Sequence, residues 1–130
     1  MKIQPTQQIN FGYSNKLKTL WKKGLMPSVK YGFYGDKLTK ETVTLEHLQP
    51  HSQGGKTELY NLVLASKRNN NRRGNDDIRK YVNKENIARY FSQFLDVQLK
   101  DFNGFRYIHN TIENLKKLGV IKWLPNGKSS

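Results

Sequence analysis

Cysteine is absent from this 130-residue chain. That single absence removes a disulfide scaffold, a cysteine-ligated zinc site, an iron–sulfur cluster and a thiolate nucleophile from the available chemistry. It assigns no redox compartment, because a chain without thiols survives in any of them. Acidic residues are also scarce: 10 Asp and Glu face 23 Lys and Arg, for a formal net charge of +13. No apolar run approaches the roughly 18 to 20 residues that span a bilayer. The stretch from Met1 to Gly12 lacks the apolar middle of a secretory signal. A soluble, cytoplasmic chain is therefore expected. There is no internal repeat, and the only biased run is Asn69-Asn70-Asn71.

What is present suffices for one domain. Apolar residues make up 35% of the chain, with two Trp, seven Tyr and six Phe, which can fill a single core and argues against disorder of the whole. The positive surplus calls for a polyanionic partner, with nucleic acid the commonest and an anionic membrane surface the rival. The charge is uneven. Residues 1–40 carry +7, 41–65 carry −2, 66–90 carry +5 and 91–130 carry +3. A slightly acidic centre between basic flanks suits a divalent cation held in the middle while Lys and Arg on either side grip phosphates.

Local patterns divide the chain into an N-terminal arm and helix (1–28), a central unit (29–75) and a C-terminal helical extension (76–130). Ser14 can cap a helix over Asn15 to Lys23, with Leu17, Leu20 and Trp21 on one face and Gly24 as its stop. Residues 29–38 suggest a strand or knuckle-like hairpin turning at Gly35-Asp36. Thr42 to Leu45 and Leu62 to Ala65 read as strands, with Pro50 to Gly55 as a loop between them. Ser66 can cap a helix over Lys67 to Arg73 that closes at Gly74, and Asp76 or Asp77 can start another short turn. Apolar residues at three- and four-residue intervals predict a helix from an Asn83 cap to about Leu99 and another over about Asn103 to Leu118. The tail after Gly119 is polar, with two apolar anchors.

Chemistry concentrates between Thr42 and Gly74. A strand delivers Glu46 and His47 side by side, a glycine-bearing loop follows, Asn61 opens the second strand, and a short basic helix presents Asn70. His47 and Asn61 are 14 residues apart, and Asn61 and Asn70 nine. The segments E-H-x-x-P-x-S-x-G-G, N-L-V-L and N-x-x-R-G resemble, in order and spacing, the HNH endonucleases, the ββα-metal nucleases. The likeness covers about residues 31 to 75. It implies an α+β fold: a small ββα-metal (HNH) core with a short N-terminal helix and a C-terminal helical extension.

The resemblance also implies roles. Glu46 and Asn70 would be oxygen ligands to one divalent cation, preferably Mg²⁺, with Mn²⁺ or another divalent ion as alternatives. His47 would be the general base that activates water, a task suited to imidazole with its unperturbed pKa of about 6.5. Asn61 would tie the loop backbone so that His47 faces the phosphate, because strand alternation alone sends Glu46 and His47 to opposite faces. Arg73, which matches a basic residue of the family pattern, would steady the transition-state charge or hold the backbone. Lys67, Arg68, Arg72, Arg73, Lys22 and Lys23 are candidate phosphate contacts, although the N-terminal lysines equally suit a solvated face. Asn69 and Asn71 flank the proposed ligand and leave a register of one residue open. His51 is read as a loop residue, since Pro50 breaks any H-x-x-x-H helix, and His109 as a surface residue.

Two departures stand out. Many members of the family carry a zinc knuckle of two C-x-x-C pairs; here Tyr31, Tyr34, Ser66 and Asn69 stand at those positions. No structural zinc is expected, and packing by Tyr31, Phe33 and Tyr34 together with the C-terminal helices would replace it. Glu46 stands where Asp is frequent. The resemblance implies a DNA endonuclease leaving 5′-phosphate and 3′-hydroxyl ends, with target choice from the terminal elements or a partner protein. Alternatives are a nucleic-acid-binding module without turnover and a nuclease directed at RNA.

Overall fold

The computed structural model describes residues 17–56, 58–100 and 102–121. The expected arm, the Ser14 cap and the C-terminal tail beyond Ile121 lie outside the described residues, as does the side chain of His51. The chain is mixed α+β, with helices and two small antiparallel two-stranded sheets. No helix among the described residues is long and apolar enough to cross a membrane.

Helix α1 covers 17–20 and continues as a π-helical turn, Trp21–Leu25. Gly24 therefore lies inside the turn and does not end the helix at Lys23. The wide turn is closed by Met26 N–H on the Trp21 carbonyl at 2.9 Å, and Trp21 Nε1 donates to the Val29 carbonyl at 2.6 Å. Leu17, Trp21 and Leu25 are buried as a result. Residues 29–38 form a knuckle-like turn with one isolated bridge, Tyr31 to Lys37, and Gly35 at φ 100°.

Strand β1 (Val43–His47) pairs antiparallel with β2 (Leu62–Ser66), so that Glu46 lies opposite Val63 and His47 opposite Leu62. The strand thus runs two residues past Leu45 and carries both site residues. Helix α2 (Lys67–Arg73) follows β2 without a loop, because Ser66 ends the strand and caps the helix, its Oγ accepting from Asn69 N–H at 3.2 Å. Gly74 at φ 55° closes it, and Asp77 caps the short 3-10 turn Ile78–Lys80.

The predicted helix from Asn83 to Leu99 is shorter in the structure. Helix α3 (Lys84–Ser92) begins at the expected Asn83 cap, but tight turns follow it, and Gln98–Leu99 (β3) pairs with Phe102–Asn103 (β4). Tertiary packing overrides the helical rhythm here. Phe94 and Phe102 are drawn into one aromatic cluster with Tyr107, with ring centroids 4.9 to 6.1 Å apart, while Leu95, next in the apolar series, is 55% exposed. Gly104 fits the close approach, since a Cβ there would collide with the Phe94 carbonyl oxygen. Helix α4 (Gly104–Lys117) starts from Asn103, whose Oδ1 accepts from Arg106 N–H at 2.9 Å, and ends before Gly119 at φ 75°.

Every residue of β2 is buried, although it has only one strand partner. Its second edge is covered by Phe33 N–H, which donates to the Leu64 carbonyl at 2.9 Å, and by two tyrosines. Tyr90 hydroxyl accepts from Leu64 N–H at 3.0 Å, Tyr107 hydroxyl donates to the Leu62 carbonyl at 2.7 Å, and the two hydroxyls meet at 2.8 Å. Because an unpaired buried backbone group costs about 1–3 kcal/mol, Tyr107→Phe should destabilise the protein by that amount, measured as a lower urea midpoint at constant m-value. A midpoint unchanged within error would show that the Leu62 carbonyl finds another partner.

Candidate functional site

The site is built where β1 ends against α2. Glu46 is 4% exposed, an unusual setting for a carboxylate, and its Oε2 accepts from Tyr34 hydroxyl and from Arg73 Nη1 at 3.0 Å. Burial pushes the Glu46 carboxyl above its ordinary pKa, and the bonds from Tyr34 and Arg73 oppose that rise only in part. The Tyr34 hydroxyl is driven far above its ordinary value by the same burial and by the neighbouring carboxylate. Strand alternation is broken at this point: Val43 and Glu46 are the buried residues of β1, while Thr44, Leu45 and His47 are half-buried.

Arg73 corrects one expectation. It is 3% exposed, and its donors bond Glu46, the His47 carbonyl at 2.8 Å, the Leu48 carbonyl at 3.2 Å and the Asp76 carbonyl at 2.9 Å. With its guanidinium committed inward, Arg73 does not present a charge to a phosphate. It holds the chain's own main chain at His47 and Leu48, in place of the catalytic and phosphate-binding roles expected for it.

Asn61 braces the same turn from the strand side. Its Oδ1 accepts from Gln49 N–H at 2.9 Å, and its Nδ2 donates to the carbonyls of Gln49 at 3.1 Å and Lys56 at 2.8 Å. Its own carbonyl accepts from Leu48 N–H at 2.9 Å. The loop can close this tightly because Gly55 lies on the Gln49 carbonyl, where any Cβ would overlap it. Asn70 faces β1: its Nδ2 donates to the Leu45 carbonyl at 3.1 Å, and among the described residues no side-chain bond is made by its Oδ1. Asn69, the register alternative, is engaged elsewhere, donating to Asp36 Oδ2. Asn71 is exposed.

Lys67, Arg68 and Arg72 are exposed on α2, and Lys22 and Lys23 are exposed on α1. Arg72 also lies over the Tyr81 ring, 5.6 Å from its centroid. His109 is exposed on α4. Among the described residues, no three His, Cys, Asp or Glu side chains are grouped to hold a metal ion. The chain matches no protein-family model, no curated protein and no solved structure.

Three contributors escaped the sequence reading. Tyr34, assigned to packing, donates to Glu46. Asp36 accepts from Ser66 Oγ at 2.6 Å and from Asn69, joining the turn at 35–36 to the start of α2. Asn114 on α4 donates to the Tyr60 carbonyl at 3.1 Å and to Asn61 Oδ1 at 3.3 Å, so the C-terminal helix steadies the brace. Only Asn114 leaves a sequence signal, as a polar residue on the apolar side of its helix.

These contacts also bear on the four positions where the resemblance expects cysteine. Gln93 Oε1 accepts from the N–H groups of Lys30 and Tyr31 at 2.8 and 2.9 Å, its Nε2 donates to the Tyr31 carbonyl at 2.8 Å, and Asn86 Nδ2 donates to the Tyr34 carbonyl at 3.0 Å. Phe33 is fully buried, edge-on to Tyr34, Tyr90 and Phe91. Elemental analysis of purified protein is expected to find no stoichiometric zinc; one zinc per chain that survives chelator would contradict that.

The buried ion pair predicts a large asymmetry. Arg73→Ala strands a buried carboxylate and should cost about 3–5 kcal/mol, whereas Arg68→Ala on the exposed face should change stability by less than about 0.5 kcal/mol. Guanidinium unfolding of the two variants checks this, and equal losses would mean that Glu46 is not held as described.

Proposed function

We propose that this chain is a metal-dependent endonuclease of the HNH type, with β1, β2 and α2 as a ββα-metal core that hydrolyses DNA phosphodiester bonds. The observation that carries the reading is the bond from Asn70 Nδ2 to the Leu45 carbonyl. It ties the Asn70 side chain to the main chain one residue before Glu46 and two before His47, which supports the juxtaposition the resemblance implies. The basic face of α2 and the +13 net charge support a phosphate backbone as the partner.

The donor set fits a hard cation. Asn70 offers its carbonyl oxygen, and hydrogen bonds among the described residues reach only Oε2 of Glu46, leaving Oε1 as the second protein ligand. One carboxylate and one amide are few, but Mg²⁺ is commonly held by one or two protein oxygens with water and phosphate completing its shell, and Mn²⁺ accepts the same donors. When bound, the ion supplies stabilisation of the charge that builds on the scissile phosphate and the departing 3′ oxygen.

The chain's own residues do the rest. His47 takes a proton from the attacking water, whose oxygen bonds to phosphorus as the 3′ oxygen leaves, giving 5′-phosphate and 3′-hydroxyl ends once solvent protonates the latter. Arg73 and Asn61 hold the main chain from His47 to Gln49, so that the imidazole is carried on a fixed turn during the reaction. Tyr34 and Arg73 fix the Glu46 carboxylate. Lys67, Arg68 and Arg72 hold the backbone of the substrate without reading its sequence.

Supercoiled plasmid with Mg²⁺ or Mn²⁺ should be nicked or linearised, and EDTA should abolish the reaction. His47→Ala should slow cleavage by about 10²- to 10⁴-fold while DNA affinity in EDTA stays within about twofold. Cleavage by neither ion would leave a binding module without turnover, and a variant as fast as the parent would remove His47 from the base role.

A further inference from the structure

We infer that the open cleft beside the Asn61 brace is a nucleotide subsite, which takes one or two unpaired nucleotides of the DNA strand next to the phosphate being cut. This deepens the nuclease reading and rests on it. The cleft lies between the 3-10 turn Leu59–Asn61, the β3–β4 hairpin and the first two turns of α4, and encloses about 690 Å³. That volume falls within the range of small-ligand sites and exceeds what a single side chain fills.

Its lining has the chemistry of a nucleotide. Tyr60 stands at 39% exposure between a half-buried Leu59 and a buried Asn61, with its carbonyl held by Asn114 Nδ2 at 3.1 Å. A held, exposed ring is a stacking platform for a base. Lys100 beside β3 and Arg106 on α4 are exposed cations in the lining, suited to a phosphate. Gln98 and Asn110 add side-chain amides that can donate to and accept from a base edge. Phe102 and Tyr107, buried, make the floor rigid.

The cleft is also joined to the candidate site. Asn114 bonds both the Tyr60 carbonyl and Asn61 Oδ1, and Asn61 holds the turn after His47. A strand with a base on Tyr60 therefore presses on the same brace that positions the candidate general base. Unpaired nucleotides are the occupant the shape favours, because a stacking face inside a concavity cannot reach a base still paired in a duplex.

The test is fluorescence anisotropy in EDTA with two labelled DNA duplexes of equal length, one blunt and one ending in a four-nucleotide single-stranded overhang. The overhang should bind about tenfold more tightly. Tyr60→Ala and Arg106→Gln should each remove most of that preference, and Tyr60→Phe should keep it, with circular dichroism and thermal midpoint unchanged in all three. Arg106→Gln should also lower the slope of log affinity against log salt by about one. Equal affinity for the two duplexes, or a preference that survives both Tyr60→Ala and Arg106→Gln, overturns the proposal. Metal-dependent plasmid cleavage alongside equal affinities would sink the cleft alone, whereas failure to bind either duplex would sink the cleft and the nucleic-acid reading together.

Discussion

A guanidinium closed off from water must have its donors paired, and at Arg73 that requirement organises the centre of the molecule. From the last turn of α2 it reaches the Glu46 carboxylate, the carbonyls of His47 and Leu48, and the carbonyl of Asp76. Helix, strand end and following turn are therefore locked together through one side chain. Asn61 restrains the same turn from the other side, so the main chain around His47 is held by α2 and by β2 at once. The desolvation cost of burying Glu46 is offset in part by Arg73 and Tyr34, a balance that holds only while all three stay in place.

The C-terminal part of the chain belongs to this arrangement and is not an appendage to it. Tyr90 and Tyr107, together with the Phe33 N–H, supply the hydrogen bonds that a third strand would otherwise give to β2, and Asn114 supports Asn61. Gln93 and Asn86 hold the turn at 30–34, while Asp36 ties its far end to Ser66 and Asn69. The buried core runs accordingly from Leu17 through Phe33 and β2 to Leu115 and Ile121. A chain without cysteine has joined these segments by amide, hydroxyl and aromatic contacts, each individually small and collectively dependent on the helices that deliver them.

Much of this was legible where the controlling forces are local. The Ser66 and Asn83 caps act within three residues, and their helices start where the caps predict. The two strands followed from a β-branched run at 42–45 and an apolar run at 62–65, whereas the brace by Asn61 was implied by the resemblance. The helix predicted as far as Leu99 failed for the opposite reason. Nothing in residues 93–99 forbids a helix, and it is the packing of Phe94 with Phe102 and Tyr107, together with the close approach of Gly104, that turns the chain back. Arg73 was read correctly as basic and wrongly as facing a phosphate, since the sign of a charge is a property of the residue and its burial is not.

The amino-acid sequence by itself determined residue chemistry and local order: an excess of positive charge, no thiol, capped helices, a carboxylate beside an imidazole, and asparagines at set intervals. These depend on residue types and short-range spacing, which any conformation of the chain retains. Only the tertiary structure decided that Tyr34 meets Glu46 across 12 positions, that Arg73 turns inward, that Asn114 reaches Asn61 across 53, and that Tyr60 borders a cleft. Those outcomes rest on which buried polar groups must find partners once distant segments pack, and that is settled only when all the segments are in place.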